Sequence, residues 1–146
     1  MSVEYDRRGP VAVVTIDRPG RRNAVDDATA GELGDAWDRF DEDDDALVGV
    51  LTGSEGTFSA GADLEAMDLE DRPEGWLGFT RRRVSKPTVA AVEGHCVAGG
   101  PEMALWCQLP IAEAVGLSVD SRSADTGVSD ATSVAVTVII PDFRAY

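Results

Sequence analysis

In 146 residues the chain carries 27 acidic against 13 basic side chains, a formal net charge of −14. A phosphate backbone would be repelled by such a surface, which excludes nucleic acid as a partner, and no apolar run approaches the ~20 residues of a membrane span. With 43% hydrophobic and 27% charged residues, the composition and length fit one globular domain with a single core.

The opening MSVEYDRRGP lacks the basic-then-apolar layout of a signal peptide, so a cytoplasmic protein is expected. Ser2 to Arg7 and Val11 to Ile16 are apolar or alternating runs separated by Arg8-Gly9-Pro10, which predicts a β-hairpin. Asp17 to Asp26 is a polar loop entering a helix that Asp26 or Asp27 can cap. In that helix Leu33, Trp37 and Phe40 form one apolar stripe, read as core, with Asp35, Asp38, Asp41 and Glu42 away from it. The run Asp41 to Asp45 reads as a solvated acidic turn, because consecutive side chains splay apart and do not converge on a metal. Acidic residues are otherwise dispersed and Lys86 is the only lysine. Such an exterior is either a partner patch or, the preferred reading, a halophile-like solvated surface.

Leu47 to Thr52 is apolar without alternation, the pattern of a strand covered on both faces, and its alternation with helices suggests βαβ units. The loop Gly53 to Met67 follows, with small residues that let backbone approach a ligand. Its Asp63 is a candidate cap for a helix carrying Leu64 and Met67. After Arg72-Pro73, a helix is predicted over Glu74 to Val84 with Trp76, Phe79 and Arg83 on one side. Arg81, Arg82 and Arg83 then meet either a phosphate or the negative end of that helix.

Val89 to Cys107 reads as a buried strand ending at Gly94, a turn with Gly99 and Gly100, and a helix opened by Pro101. Free backbone N–H groups at such a turn, beside a helix N-terminus, suit an oxyanion, and Glu102 is the nearest side chain able to move a proton. Glutamate is also favoured in the first turn of any helix, whatever its function. Cys96 and Cys107 stand in no metal-ligand spacing, with one histidine in the chain, and are expected to be buried free thiols.

A second loop of the same kind, Phe58 to Leu64, also follows an apolar strand. Together VAVVTIDRPGRRNAVD, VGVLTG, GTFSAGADLEAM and KPTVAAVEGHCVAGGPEMALWC resemble the crotonase (enoyl-CoA hydratase/isomerase) family, in family order and spacing. The resemblance implies an incomplete crotonase-like spiral ββα fold of the α/β class and an acyl-CoA substrate, with no metal or redox cofactor and a possible homo-oligomer. It implies an oxyanion hole from the N–H groups of Ala60 and Gly99, coenzyme A lying along Ala60, Gly61, Ala62 and Asp63, and Glu102 as acid/base. The activity so implied is enoyl-CoA hydratase or isomerase; the alternative is an inactive acyl-CoA-binding or subunit-interaction protein, or a decayed fragment.

The pattern is carried on residues 1–113, the expected core. The family's second glutamate has no counterpart: Asp120, Ser121 and Arg122 stand there, and no glutamate follows Glu113. Residues 114–146 are expected to be an atypical tail, rich in loop, with one possible strand over Ala131 to Ile140. Loss of pattern at one point suggests a shortened or frame-shifted member; a natural short variant is the competing reading.

Overall fold

The computed structural model describes residues 1–112. Strands β1 (Val3–Arg8) and β2 (Val11–Ile16) form the antiparallel hairpin, with Val3 opposite Ile16 and Arg8 opposite Val11. From there β2 runs parallel to β3 (Val48–Gly53), β3 to β4 (Thr88–Val92), and β4 to β5 (Leu109–Ala112). Order in the sheet therefore repeats order in the chain. This is the expected α/β class, a mixed sheet in which, among the described residues, the hairpin is the antiparallel edge. The possible strand over Ala131 to Ile140 lies outside the described residues.

Helix α1 (Asp27–Glu42) crosses from β2 to β3. Asp26 caps it, one carboxylate oxygen accepting from the Thr29 N–H at 2.8 Å. Leu33, Trp37 and Phe40 are fully buried, as their spacing predicts, while Asp35, Asp38 and Glu42 are exposed. Removing each such side chain from water contributes about 1.5–3 kcal/mol, which is what docks the helix on the sheet. Trp37 joins an aromatic cluster with Phe40, Phe79 and Trp106, with ring centroids 4.8–5.9 Å apart.

The end of α1 uses the acidic turn more fully than solvation alone. Lys86 donates to the carbonyls of Phe40 and Asp43 at 2.8 and 2.6 Å, which places a cation at the negative end of the helix on carbonyls that also accept the N–H groups of Asp43 and Ala46. Asp41 accepts from the Ser85 N–H and hydroxyl at 2.8 and 2.7 Å. Among the described residues no group of three or more His, Cys, Asp or Glu is arranged to hold a metal.

Three local expectations are corrected. Strand β3 is fully packed on one face only: Gly49 and Leu51 are buried, whereas Val48, Val50 and Thr52 are half-buried. Residues 74–84 form a series of turns instead of a helix. Leu77 and Phe79, two apart, are both fully buried, a spacing that a helix cannot put on one face, and Gly75 and Gly78 adopt φ of +111° and +90°. A methyl group on Gly78 would strike the Ala30 carbonyl of α1, so the turn lies directly on that helix. Arg81 and Arg82 consequently meet no helix end; they pair with Asp71 and Asp38. Asp63 does cap a turn, accepting from the N–H groups of Glu65 and Ala66 at 3.1 and 3.3 Å, but no helix follows. Met67 sits at φ +49°, and Leu64 and Met67 are both exposed.

Helix α2 (Gly99–Trp106) connects β4 to β5 and starts two residues before Pro101, so both glycines lie in its first turn. No helix of the described residues is long and apolar enough to cross a membrane. Cys107 is buried, Cys96 half-buried, and both are free. Burial pushes their thiols up to about 12 and about 11, which keeps both protonated and unreactive at neutral pH.

Candidate active site

Two loops meet beyond the carboxyl ends of β3 and β4. Their backbones zip together: Phe58 N–H donates to the Glu93 carbonyl at 2.8 Å, Ser59 N–H to His95 at 3.0 Å, and Val97 N–H to Ser59 at 3.2 Å. Close approach then depends on having no side chain. A methyl on Gly100 would lie 2.7 Å from the Ser59 carbonyl, and one on Gly61, at φ +83°, would collide with the Gly99 nitrogen.

Accounting for each N–H of the first loop decides which can reach a ligand. Ala60 N–H donates to the Arg22 carbonyl at 3.0 Å, Gly61 N–H to the Ser59 hydroxyl at 3.0 Å, and Asp63 N–H to Val25 at 2.8 Å. Ala62 N–H has no acceptor among the described residues. The pairing with Val25, flanked by Gly61 and Asp63, turns it to the other side. The expected donor Ala60 is thereby corrected, because its N–H is spent inside the loop. On the second loop Gly99 N–H, first in α2, has no acceptor among the described residues, and Ala98 supplies no side-chain cap. A methyl on Gly99 would sit 3.3 Å from Gly61 Cα and 3.6 Å from the Ala62 nitrogen, so the two unpaired donors adjoin.

A buried polar brace fixes the first loop. The Asn23 side chain accepts from Arg18 N–H at 2.8 Å and donates to the carbonyls of Ser54 and Thr57 at 3.0 and 2.6 Å. The Ser59 hydroxyl donates to the Asn23 carbonyl at 2.7 Å. Arg18 lies between two carboxylates, 2.6 Å from Asp26 and 3.2 Å from Asp63. Burial raises the pKa of Asp63, but the N–H groups of Ala66 and Glu65 and the Arg18 and Arg21 guanidiniums outweigh it and hold the group below the ordinary carboxylate value. The Asp63 carboxylate, 5% exposed, is committed to this brace, so only its backbone is left for the coenzyme contact that the family resemblance implies. None of Arg18, Asn23 or Ser59 stands out in the sequence; a buried asparagine in a polar loop leaves no periodic signal.

Glu102 lies three residues after Gly99, one turn along the same side of α2. Its side chain is exposed, and one oxygen accepts from the Trp76 indole N–H at 3.1 Å. The structure thus brings Ala62 and Gly99 together, two donors without acceptors among the described residues, at the start of the helix that carries Glu102. Such a constellation can stabilise charge developing on a carbonyl oxygen while a proton is moved nearby.

A mostly parallel sheet with helices crossing between its strands defines an α/β fold, and comparison narrows it. The enoyl-CoA hydratase/isomerase family model matches residues 6–116, and the chain belongs to that family. Enoyl-CoA hydratase EchA19 of Mycobacterium tuberculosis is 36% identical over 137 residues, covering 86% of this chain and 48% of that protein. Among solved structures, enoyl-CoA hydratase EchA1 of Mycobacterium marinum superposes with a TM-score of 0.73 at 42% identity, over 77% of this chain and 46% of that one. A carnitinyl-CoA dehydratase of Mycobacterium avium gives 0.72 at 43% identity, over 77% and 45%. The fold is therefore the crotonase fold in part, and the chain spans about half the length of the relatives it matches.

Proposed function

We propose that this chain carries the thioester-binding half of an enoyl-CoA hydratase or isomerase site, with Ala62 and Gly99 N–H groups on the thioester oxygen and Glu102 as the acid/base. The observation that supports it is the adjacency of two acceptor-free N–H groups on two loops, one of them opening the helix that carries Glu102. As a hydroxyl adds to the β-carbon, the electron pair of the double bond moves toward the thioester and charge collects on its oxygen. Each donor aimed there lowers the barrier by about 3 kcal/mol. Glu102 takes the proton from the attacking water and returns one to the α-carbon; in an isomerase it would carry a proton between two carbons of the chain. Gly61 and the backbone of Ala62 and Asp63 would lie along the coenzyme. The protein groups suffice for this proton traffic, so no further cofactor enters the reading, and the composition fits a cytoplasmic, salt-tolerant enzyme.

Glu102→Gln should lower turnover of crotonyl-CoA about 10²-fold or more, with acyl-CoA affinity by calorimetry changed only a few-fold. Undiminished turnover in that variant would end the assignment of Glu102. The second reading, acyl-CoA binding without turnover, is favoured by Asp120, Ser121 and Arg122 standing where the resemblance puts the family's second glutamate; binding of crotonyl-CoA with no hydration product would establish it. A chain that neither binds nor turns over acyl-CoA would sink both readings.

A further inference from the structure

Glu102 has several rotatable bonds and stands exposed, so unassisted it would sample many orientations. Among the described residues one partner restrains it: the Trp76 indole N–H at 3.1 Å from one carboxylate oxygen. The other oxygen has no hydrogen-bond partner among the described residues. We propose that Trp76 is a positioning residue, holding one oxygen of Glu102 so that the other is the one presented for proton transfer. This rests on the reading of Glu102 as the acid/base.

An indole suits the task because its nitrogen is a donor only. It orients the carboxylate without offering a second base that could compete for the proton. The backbone that carries the ring is itself fixed. Trp76 lies between Gly75 and Gly78, both at positive φ, in the turn that rests on α1, and its neighbours Leu77 and Phe79 are fully buried. Leu77 packs against Gly99, where a methyl group would be 3.1 Å from its Cδ1. The turn bearing the indole therefore touches the first residue of the helix bearing the carboxylate, and the hydrogen bond is held from both ends.

The contact and its consequence can be read separately on the full chain. Uniform ¹⁵N labelling gives indole signals for Trp37, Trp76 and Trp106, assigned by single substitutions to phenylalanine. Glu102→Ala should shift the Trp76 signal and speed its exchange with water, with Trp37 and Trp106 unmoved. Trp76→Phe, which keeps an aromatic ring and loses the donor, should lower kcat for crotonyl-CoA about ten-fold with KM within about two-fold, and Trp76→His, which restores a ring N–H, should recover part of the loss. A Trp76 signal indifferent to Glu102→Ala, or a folded Trp76→Phe chain with undiminished kcat, overturns the proposal. No turnover in the parent chain, with the Trp76 signal still answering to Glu102→Ala, overturns the acyl-CoA enzyme reading and upholds the hydrogen bond.

Discussion

The two loops that meet at Ala62 and Gly99 are held in place by opposite means. The first is nailed down by polar groups from residues 18–26: Arg18 between two aspartates, Asn23 bonded to three backbone groups, Ser59 bonded to Asn23 and Gly61. The second has no such brace among the described residues. His95, Val97 and Ala98 are exposed, α2 begins without a side-chain cap, and the loop is held by its backbone bonds to Phe58 and Ser59 and by glycines that let it lie close. One loop is a template and the other is docked on it. A site built this way takes its geometry from the template, so damage there should reach everything, and damage at the contact should cost the site while sparing the sheet.

Three substitutions test that asymmetry. Arg18→Ala strikes the template hardest, because Asp63 stays buried without its cation; the loss should be about 3–5 kcal/mol in urea unfolding. A loss under 1 kcal/mol would show that the first loop does not depend on the brace. Gly61→Ala strikes the contact, forcing a side chain into φ +83° and against Gly99. It should cost about 2 kcal/mol and, in chains that remain folded, abolish the acyl-CoA binding proposed above; retained binding would mean the loops need not approach so closely. Asp26→Ala is the mildest, because it removes a helix cap worth about 1 kcal/mol and one partner of Arg18, which keeps its pairing with Asp63.

The Asp26 variant also carries a pH signature. Burial raises the Asp26 pKa, but its bonds from Thr29 and the Arg18 guanidinium outweigh this and hold it below 3.8. A carboxyl depressed in the folded state adds stability above its unfolded value and loses it as pH falls through the folded one. The parent should therefore weaken as pH drops below about 3.8, and the Asp26→Ala chain should weaken less over that interval. Parallel profiles would remove Asp26 from the account.

Strands and α1 were legible because their signals are local: β-branched runs ending at breakers, a stripe at helical spacing, an aspartate at the cap. The segment 74–84 misled because Trp76, Phe79 and Arg83 imitate that stripe, while the pair that is fully buried, Leu77 and Phe79, alternates. Placing the donor at Ala60 instead of Ala62 has a different origin. Which way an N–H points in this loop is set by pairing with Val25 and Arg22, some forty residues earlier, and no local pattern encodes that. The Trp76 to Glu102 bond spans 26 residues and was invisible for the same reason.

The sheet's order, β1 to β5 in sequence, has a consequence for assembly. Each strand from β2 onward finds its neighbour already synthesised, so the sheet can grow from one edge without waiting for a later segment to be inserted. The proposed anion site would obey the same timetable. Ala62 can be oriented once Val25 and the brace are in place, but its companion donor arrives only with α2, after β4 has added to the growing edge. A nascent chain would thus own a complete template for the site, and no site, until residue 99 reaches it.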